Sequence, residues 1–289
     1  MPGENKNETN YFSTDFWKKY FRSGKAAPYP LVFIHGIANE ESAWSKTAGL
    51  ISDSTFFKMR FMDDKSVYHD FYGTPPEHWV WTVSYYTPRP VKESLTGSIS
   101  LYSKRLEEML KIIKKITNSS KVILIAHSMG GLVARNFMSL NMENWNMVYK
   151  ILTVGTPNTG VPLSLNIVGQ LKELKQNSRF IQNLESRWEK YYCKTTDKKW
   201  GVVGGVSKRT YKINFKENLT DSGGPGFVKL DSAIPFGEAE ESTGQNFNKL
   251  FYDTKNFGFR TAVPHNHMKL LFCEGTFAGI EWASAEFNF

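Results

Sequence analysis

Residues 121–137, KVILIAHSMGGLVARNF, carry an unbroken apolar stretch into Ser128 and a pair of glycines and then continue with helical character. An apolar run that shows no alternation reads as a strand covered on both faces. A strand that reverses directly into a helix holds one residue in a strained backbone conformation, and it needs small neighbours because the helix then passes close to the strand. Ala126, Gly130 and Gly131 supply that smallness. The strain lifts the Ser128 side chain above the carboxyl edge of the sheet, and the Met129 amide falls at the positive end of the new helix. A hydroxyl in that place is open to a substrate and stands beside a ready anion site. The local pattern is A-x-S-x-G where G-x-S-x-G is commoner, so the strand before it and the helix after it are what give it weight.

Further along the chain, LVFI (31–34), WTVSYY (81–86), YKILTVG (149–155), WGVVGG (200–205) and FGFRTAV (257–263) read as buried strands like KVILIA (121–126), because they are apolar, β-branched or aromatic and are bounded by Gly, Pro or Asn. Ile99, Tyr102, Leu106, Met109, Leu110, Ile113 and Ile116 recur at three- and four-residue spacing, which predicts an amphipathic helix ended by TNSS. A second helix starts just past Ser128, with Leu132 and Val133 facing inward and Leu140 near its end. Strands and helices in this order imply crossover connections and a mostly parallel sheet covered on both faces, an α/β architecture. Residues 38–78 contain several aromatic side chains but no clear period. Residues 162–199 exceed a simple crossover and place Ile181, Leu184, Trp188 and Tyr191 at helical spacing, which suits either a covering helix or a cap over a site. No repeat or low-complexity linker interrupts the chain.

With 40% hydrophobic and 15% aromatic residues, the 289-residue chain has enough apolar surface for one large core or two modest ones. It has no run of the roughly 18 to 20 apolar residues that would span a bilayer. The opening MPGENKNETN lacks the basic and apolar regions of a signal peptide, so the chain as given is expected to be soluble. A presequence removed earlier would leave the same start, and both a secreted and a cytoplasmic location stay open. Cys193 and Cys273 cannot define a disulfide framework, and two free thiols are expected. The net charge of +8 favours contact with anionic surfaces, lipid headgroups among them. Because the basic residues are dispersed, a nucleic-acid partner is not expected.

Three segments, PLVFIHGIANEESAW, LIAHSMGGLVARNF and ILTVGTPNTGVP, resemble serine lipases and esterases of the α/β-hydrolase fold, in particular the bacterial lipases and the lipase-like branch related to inositol deacylases. They span most of residues 30 to 162, and beyond 165 the likeness thins to the closing histidine region. The resemblance implies one α/β-hydrolase domain over residues 1–289, with 162–199 as a cap or lid insertion. It further implies that the loop after HG binds an oxyanion through the Ile37 amide, which pairs with Met129, and that His35 shapes that loop. A tetrahedral intermediate needs such donors about 3 Å from its developing charge.

A serine hydroxyl is a poor nucleophile until a base takes its proton. Of the six histidines, the family's order of nucleophile, acid and histidine leaves His265 and His267 in FRTAVPHNHMKLLF. His267 is preferred, because the lipase pattern sets its histidine directly ahead of an apolar helical start; His265 is the alternative. A metal reading of these two histidines with Cys273 lacks a second cluster. For the acid, the candidates between Ser128 and His265 are Asp197, Asp221, Asp231 and Asp253. In the family an Asp-Gly precedes a VVxxxSA run, but LTDSGGPGFVKLDSA has Pro225 at that place. Asp221 is preferred, since the SGG that follows lets its carboxylate reach the same position, and Asp231 is the alternative. Asn158 occupies the other position from which some hydrolases take their acid.

These residues predict hydrolysis of a carboxylic ester, of a lipid or acyl substrate, through an acyl-enzyme on Ser128 and without a cofactor or metal. A phospholipase or acyltransferase would use the same intermediate, and a non-catalytic binding protein is the reading from another class. Nucleotide, dinucleotide and zinc-protease motifs are absent from the sequence. Oligomeric state is not legible.

Overall fold

The computed structural model describes residues 14–22, 27–76, 79–88, 93, 96–162, 169–192, 199–207, 228–235, 250–251 and 257–285. The first half contains α1 (Thr14–Arg22), β1 (Leu31–Ile34), a 3-10 turn (Glu41–Trp44) leading into α2 (Ser45–Ile51), β2 (Phe57–Phe61), β3 (Val67–His69), β4 (Val80–Ser84), α3 (Ile99–Thr117), β5 (Val122–His127) and α4 (Met129–Met138). There follow α5 (Met142–Met147), β6 (Val148–Val154), α6 (Gln170–Leu174), α7 (Arg179–Tyr192), β7 (Trp200–Gly205), α8 (Leu230–Ala233), β8 (Leu250–Phe251), β9 (Phe259–Val263) and α9 (Glu274–Ser284). Among the described residues the strands form one nine-stranded sheet in the order β3-β2-β4-β1-β5-β6-β7-β9-β8. It is parallel except where β3 and β8 pair antiparallel at the two edges.

The absence of alternation in the central strands has a direct cause. Val32, Ile34, Leu124 and Ala126 enter the core under α3, α4 and α7, whereas Leu31, Phe33, Ile123 and Ile125 enter the core under α1, α2 and α9. Both faces are dry, so both sets must be apolar. The α3 helix is set by a Ser98 side chain that accepts from the Leu101 amide and by Asn118, left-handed at φ 51°, at its end. Its Tyr102, Leu106, Met109, Leu110 and Ile113 are buried in the core that α4 shares. No helix among the described residues is long and apolar enough to cross a membrane.

The structure departs from the sequence expectations in several places. The 38–78 region holds β2 and β3, whose FKMRF alternates intermediate, exposed and buried positions as an edge-side strand does. The expected strand over 81–86 occupies Val80–Ser84, which leaves Tyr85 and Tyr86 beyond the sheet edge. Leu140 lies past the end of α4 and is exposed, because the chain there turns into α5. Within 162–199, α7 buries Ile181, Leu184 and Trp188 in the core, with Trp188 packed on Trp145 and Trp200 at ring separations of 5.1 and 5.0 Å. The buried Arg135 guanidinium lies over the rings of Trp188 and Trp200 at 4.7 and 4.5 Å and donates to Asn158 Oδ1.

The helix that follows Ser128 approaches the sheet so closely that a Cβ on Gly130 would come within 2.2 Å of the His35 carbonyl oxygen. Gly49, in α2, has its nearest neighbour at 3.7 Å, an ordinary contact. Gly130→Ala is therefore expected to lower stability by about 2 kcal/mol or more through backbone displacement. Gly49→Ala should be neutral or stabilising by up to about 1 kcal/mol through helix propensity. Urea unfolding of the two variants beside the wild type checks the contrast.

Candidate active site

Strand β5 ends at His127 and α4 begins at Met129, so a single residue makes the reversal. Ser128 takes φ 54° and ψ −131°, outside the regions ordinary for a side-chain-bearing residue. Its amide donates to the Val154 carbonyl at the end of β6 (2.9 Å), and its carbonyl accepts from Gly131 (3.0 Å). Strain of this kind costs about 1 to 3 kcal/mol and persists only where the surroundings dictate it. Here those surroundings are two parallel neighbours of β5 and the close seat of α4.

The segment after β1 lies alongside. A Cβ on Gly36 would stand 2.8 Å from the Ser128 Cβ, which places the loop carrying Ile37 directly against the turn. The loop is held from beneath by the residues that leave β4. His35 is fully buried; its Nδ1 donates to the Gly36 carbonyl (2.7 Å), the Ser84 hydroxyl donates to its Nε2 (3.2 Å), and its ring stacks on Tyr85 at 4.1 Å. The Tyr85 hydroxyl donates to the His35 carbonyl (3.0 Å). The Tyr86 ring also packs against His35, and its hydroxyl donates to Gln170 Oε1 (2.9 Å), linking this edge to α6. At the far end of the loop, Arg60 of β2 bonds both Glu40 (2.8 Å) and the buried Glu41 (2.6 Å). His35 thus shapes the loop, as expected from its place after the strand.

Beyond β9 the chain carries the two late histidines in different roles. His265 Nε2 meets both Glu274 carboxylate oxygens at 3.0 Å, at the start of α9. Although burial pushes the Glu274 carboxyl up, the bond from His265 holds it below the usual carboxylate range. His267 is half-buried beside the end of β6, where a Cβ on Gly155 would come within 3.2 Å of its Nδ1. Its carbonyl accepts from His127 Nε2 (3.1 Å), and the two rings lie 4.5 Å apart. The Asn266 side chain accepts from the Lys269 amide (3.0 Å) at the start of the following 3-10 turn (Lys269–Phe272). The polypeptide thus delivers His267 to the neighbourhood of Ser128, and His265 is engaged elsewhere.

Asp221 lies outside the described residues, as do Asp197, Asp253 and Cys193. Asp231 sits exposed in α8 and makes no hydrogen bond or ion pair with His265 or His267 among the described residues. Its neighbours tie α8 to the loop after β6: Asn158 Nδ2 donates to the Ala233 carbonyl (3.0 Å), and the Ser232 hydroxyl donates to the Gly160 carbonyl (2.8 Å). Asn158 is therefore a structural link. Cys273 is a free, buried thiol that burial pushes up to about 11. Sequence reasoning missed Glu274, Arg60 and the contact of His127 with His267, because these depend on side chains brought together by topology and no short motif encodes them.

Burial lowers His35 to about 4, and burial followed by the neighbouring His267 lowers His127 well below the usual imidazole value. The unfolded chain binds protons at these positions below about pH 6.5, while the folded chain refuses them, so this stability is complete above that pH and declines as pH falls toward 4. His35 alone accounts for about 3 kcal/mol across the window. The melting temperature is expected to drop between pH 7 and pH 4.5, with a shallower slope in His35→Asn, measured by thermal unfolding at each pH.

Residues 25–210 match the model of the PGAP1-like alpha/beta domain. A GPI inositol-deacylase of Coccidioides immitis (strain RS) is 24% identical over 165 residues, which are 55% of this chain and 12% of that much longer relative. Among solved structures, the lin2722 gene product of Listeria innocua is 13% identical with a TM-score of 0.58, covering 90% of this chain and 95% of that one. The mature lipase BlEst2 of Bacillus licheniformis is 15% identical with a TM-score of 0.53, covering 90% and 94%. These two share the fold. With more than half of its residues matched, the chain belongs to the PGAP1-like α/β-domain family and has the α/β-hydrolase fold.

Proposed function

We propose that the chain hydrolyses a carboxylic ester, one that joins an acyl group to a lipid or other alcohol, through a covalent acyl-enzyme on Ser128. The observation that carries this reading is the positive φ of Ser128 at a one-residue reversal between β5 and α4. A strained seryl turn serves no packing need that a glycine would not meet at lower cost. The name of the Coccidioides relative, a deacylase, is consistent with the same bond class.

In the proposed reaction His267 takes the Ser128 hydroxyl proton as the oxygen attacks the ester carbonyl carbon. The carbonyl oxygen becomes an oxyanion bound by the amides of Ile37 and Met129. Collapse of the tetrahedral intermediate breaks the bond to the alcohol, which leaves with the proton from His267. Water then repeats the sequence on the acyl-enzyme and releases the acid. Asp221 is assigned to hold the imidazole in its productive tautomer and to stabilise the imidazolium, with Asp231 as the alternative acid and His265 as the alternative base. Support for His267 over His265 is its place beside Gly155 and His127, against the engagement of His265 by Glu274. We read residues 1–289 as one domain and 162–199 as its cap, joined to the oxyanion loop through Gln170 and Tyr86. The net charge of +8 suits approach to an anionic lipid surface.

A fluorophosphonate probe is expected to label the wild type stoichiometrically and to leave Ser128→Ala unlabelled. A folded wild type that resists the probe overturns the reading. On p-nitrophenyl esters, Asp221→Asn is expected to lose about ten-thousandfold in kcat, the usual effect of disabling a triad acid, while Asp231→Asn retains activity. The reverse result reassigns the acid. A preference for the shortest acyl chains removes the lipid substrate.

A further inference from the structure

We infer that His127 is a positioning residue: its Nε2–H holds the backbone carbonyl of His267 and so fixes the distance between the imidazole of the base and the Ser128 hydroxyl. This rests on the assignment of Ser128 and His267 proposed above. The contact is 3.1 Å long, and because a carbonyl can only accept, Nε2 must carry the proton. His127 Nδ1 is then bare; it is buried, has no hydrogen-bond partner among the described residues, and faces Gly36, where a Cβ would stand 3.2 Å away.

Three parts of the site therefore meet at one ring. The main chain of His127 leads directly into Ser128, its Nδ1 edge faces the oxyanion loop at Gly36, and its Nε2 edge reaches the loop that carries the base. The ring cannot drift, since the edge of Trp44 packs on it at 6.2 Å and the His267 ring at 4.5 Å, while Trp44 is itself anchored by donation from Nε1 to the Ile34 carbonyl (2.9 Å). Charging the ring would place a second N–H where no acceptor waits, beside the ring of His267, and burial already disfavours the charged form. The neutral ring protonated at Nε2 is therefore the state that makes this bond without a stranded second N–H. Within the base loop itself, the His265 amide donates to the Val263 carbonyl and the Lys269 amide to Asn266 Oδ1, so these contacts shape the loop without reference to Ser128. The donor on His127 supplies that reference directly.

A displacement of about 1 Å between nucleophile and base costs on the order of a hundredfold in rate. His127→Phe keeps a ring of similar size and removes the donor; His127→Gln keeps an amide N–H near the position of Nε2. On a p-nitrophenyl ester, His127→Phe is expected to lose about a hundredfold in kcat with KM unchanged, with fluorophosphonate labelling slowed in parallel, and His127→Gln to recover most of the loss. Wild-type kcat in His127→Phe overturns the inference, and so does a folded His127→Gln as impaired as His127→Phe. The wild type gives a second measurement that needs no variant: nitrogen NMR of histidine-labelled protein must show His127 neutral, protonated at Nε2 and slow to exchange. Protonation at Nδ1 overturns the inference. A wild type that the probe does not label defeats the hydrolase reading instead and leaves the tautomer result to judge the hydrogen bond by itself.

Discussion

The structure turns on the one-residue reversal between β5 and α4. Because Ser128 alone separates strand from helix, the helix must start within contact of β1 and β6, and positions 130 and 131 of its first turn have no room for a Cβ beside His35 and Thr156. That closeness sets the His35 carbonyl over Gly130 and brings Gly36 against the Ser128 Cβ. It also places the helix amino terminus, with its unpaired amides and partial positive charge, beside the serine hydroxyl. The strain of the turn is held by the hydrogen bond to Val154 and by the burial of both faces of β5, so the geometry survives without help from a bound substrate.

The same layout explains what sequence could and could not disclose. The central strands and α3 were legible because dry faces demand apolar runs and a half-buried helix demands three- and four-residue spacing. In FKMRF the signal was present as alternation, yet it competes with a search for unbroken apolar runs and with the Lys and Arg that an edge-side strand tolerates. The reversal at Ser128 was legible because a strand that turns into a helix through one residue requires small neighbours in a local pattern. Chain order left His265 and His267, and the apolar helical start favoured His267; that Glu274 engages His265 is a contact no neighbouring residue announces. For an acid the sequence offers no comparable local pattern, since LTDSGGPGFVKLDSA has Pro225 where the resembling lipases carry an aspartate.

Several buried polar groups lie under the loop that carries Ile37 or in the loop after β6. His35, Ser84, Tyr85, Tyr86, Glu41 and Asn158 are all buried, and each has a partner that orients it. Burying such groups is worthwhile only when their bonds are satisfied, and a satisfied network has a single arrangement. The loop that carries Ile37 is consequently held in one arrangement by the fold itself. Under the proposed function, this is the condition in which amide donors stabilise developing charge without reorganising.

The backbone angles of Ser128 also restrict the chemistry this turn can acquire. A β-branched residue is a severe outlier at positive φ, and Gly36 already lies against the one carbon where an additional methyl would sit. Threonine is thereby shut out as an alternative alcohol at this place, whereas the unbranched cysteine meets neither obstacle. On this backbone the serine can be exchanged for cysteine in one step, but a residue with a secondary alcohol needs the adjoining loop rebuilt.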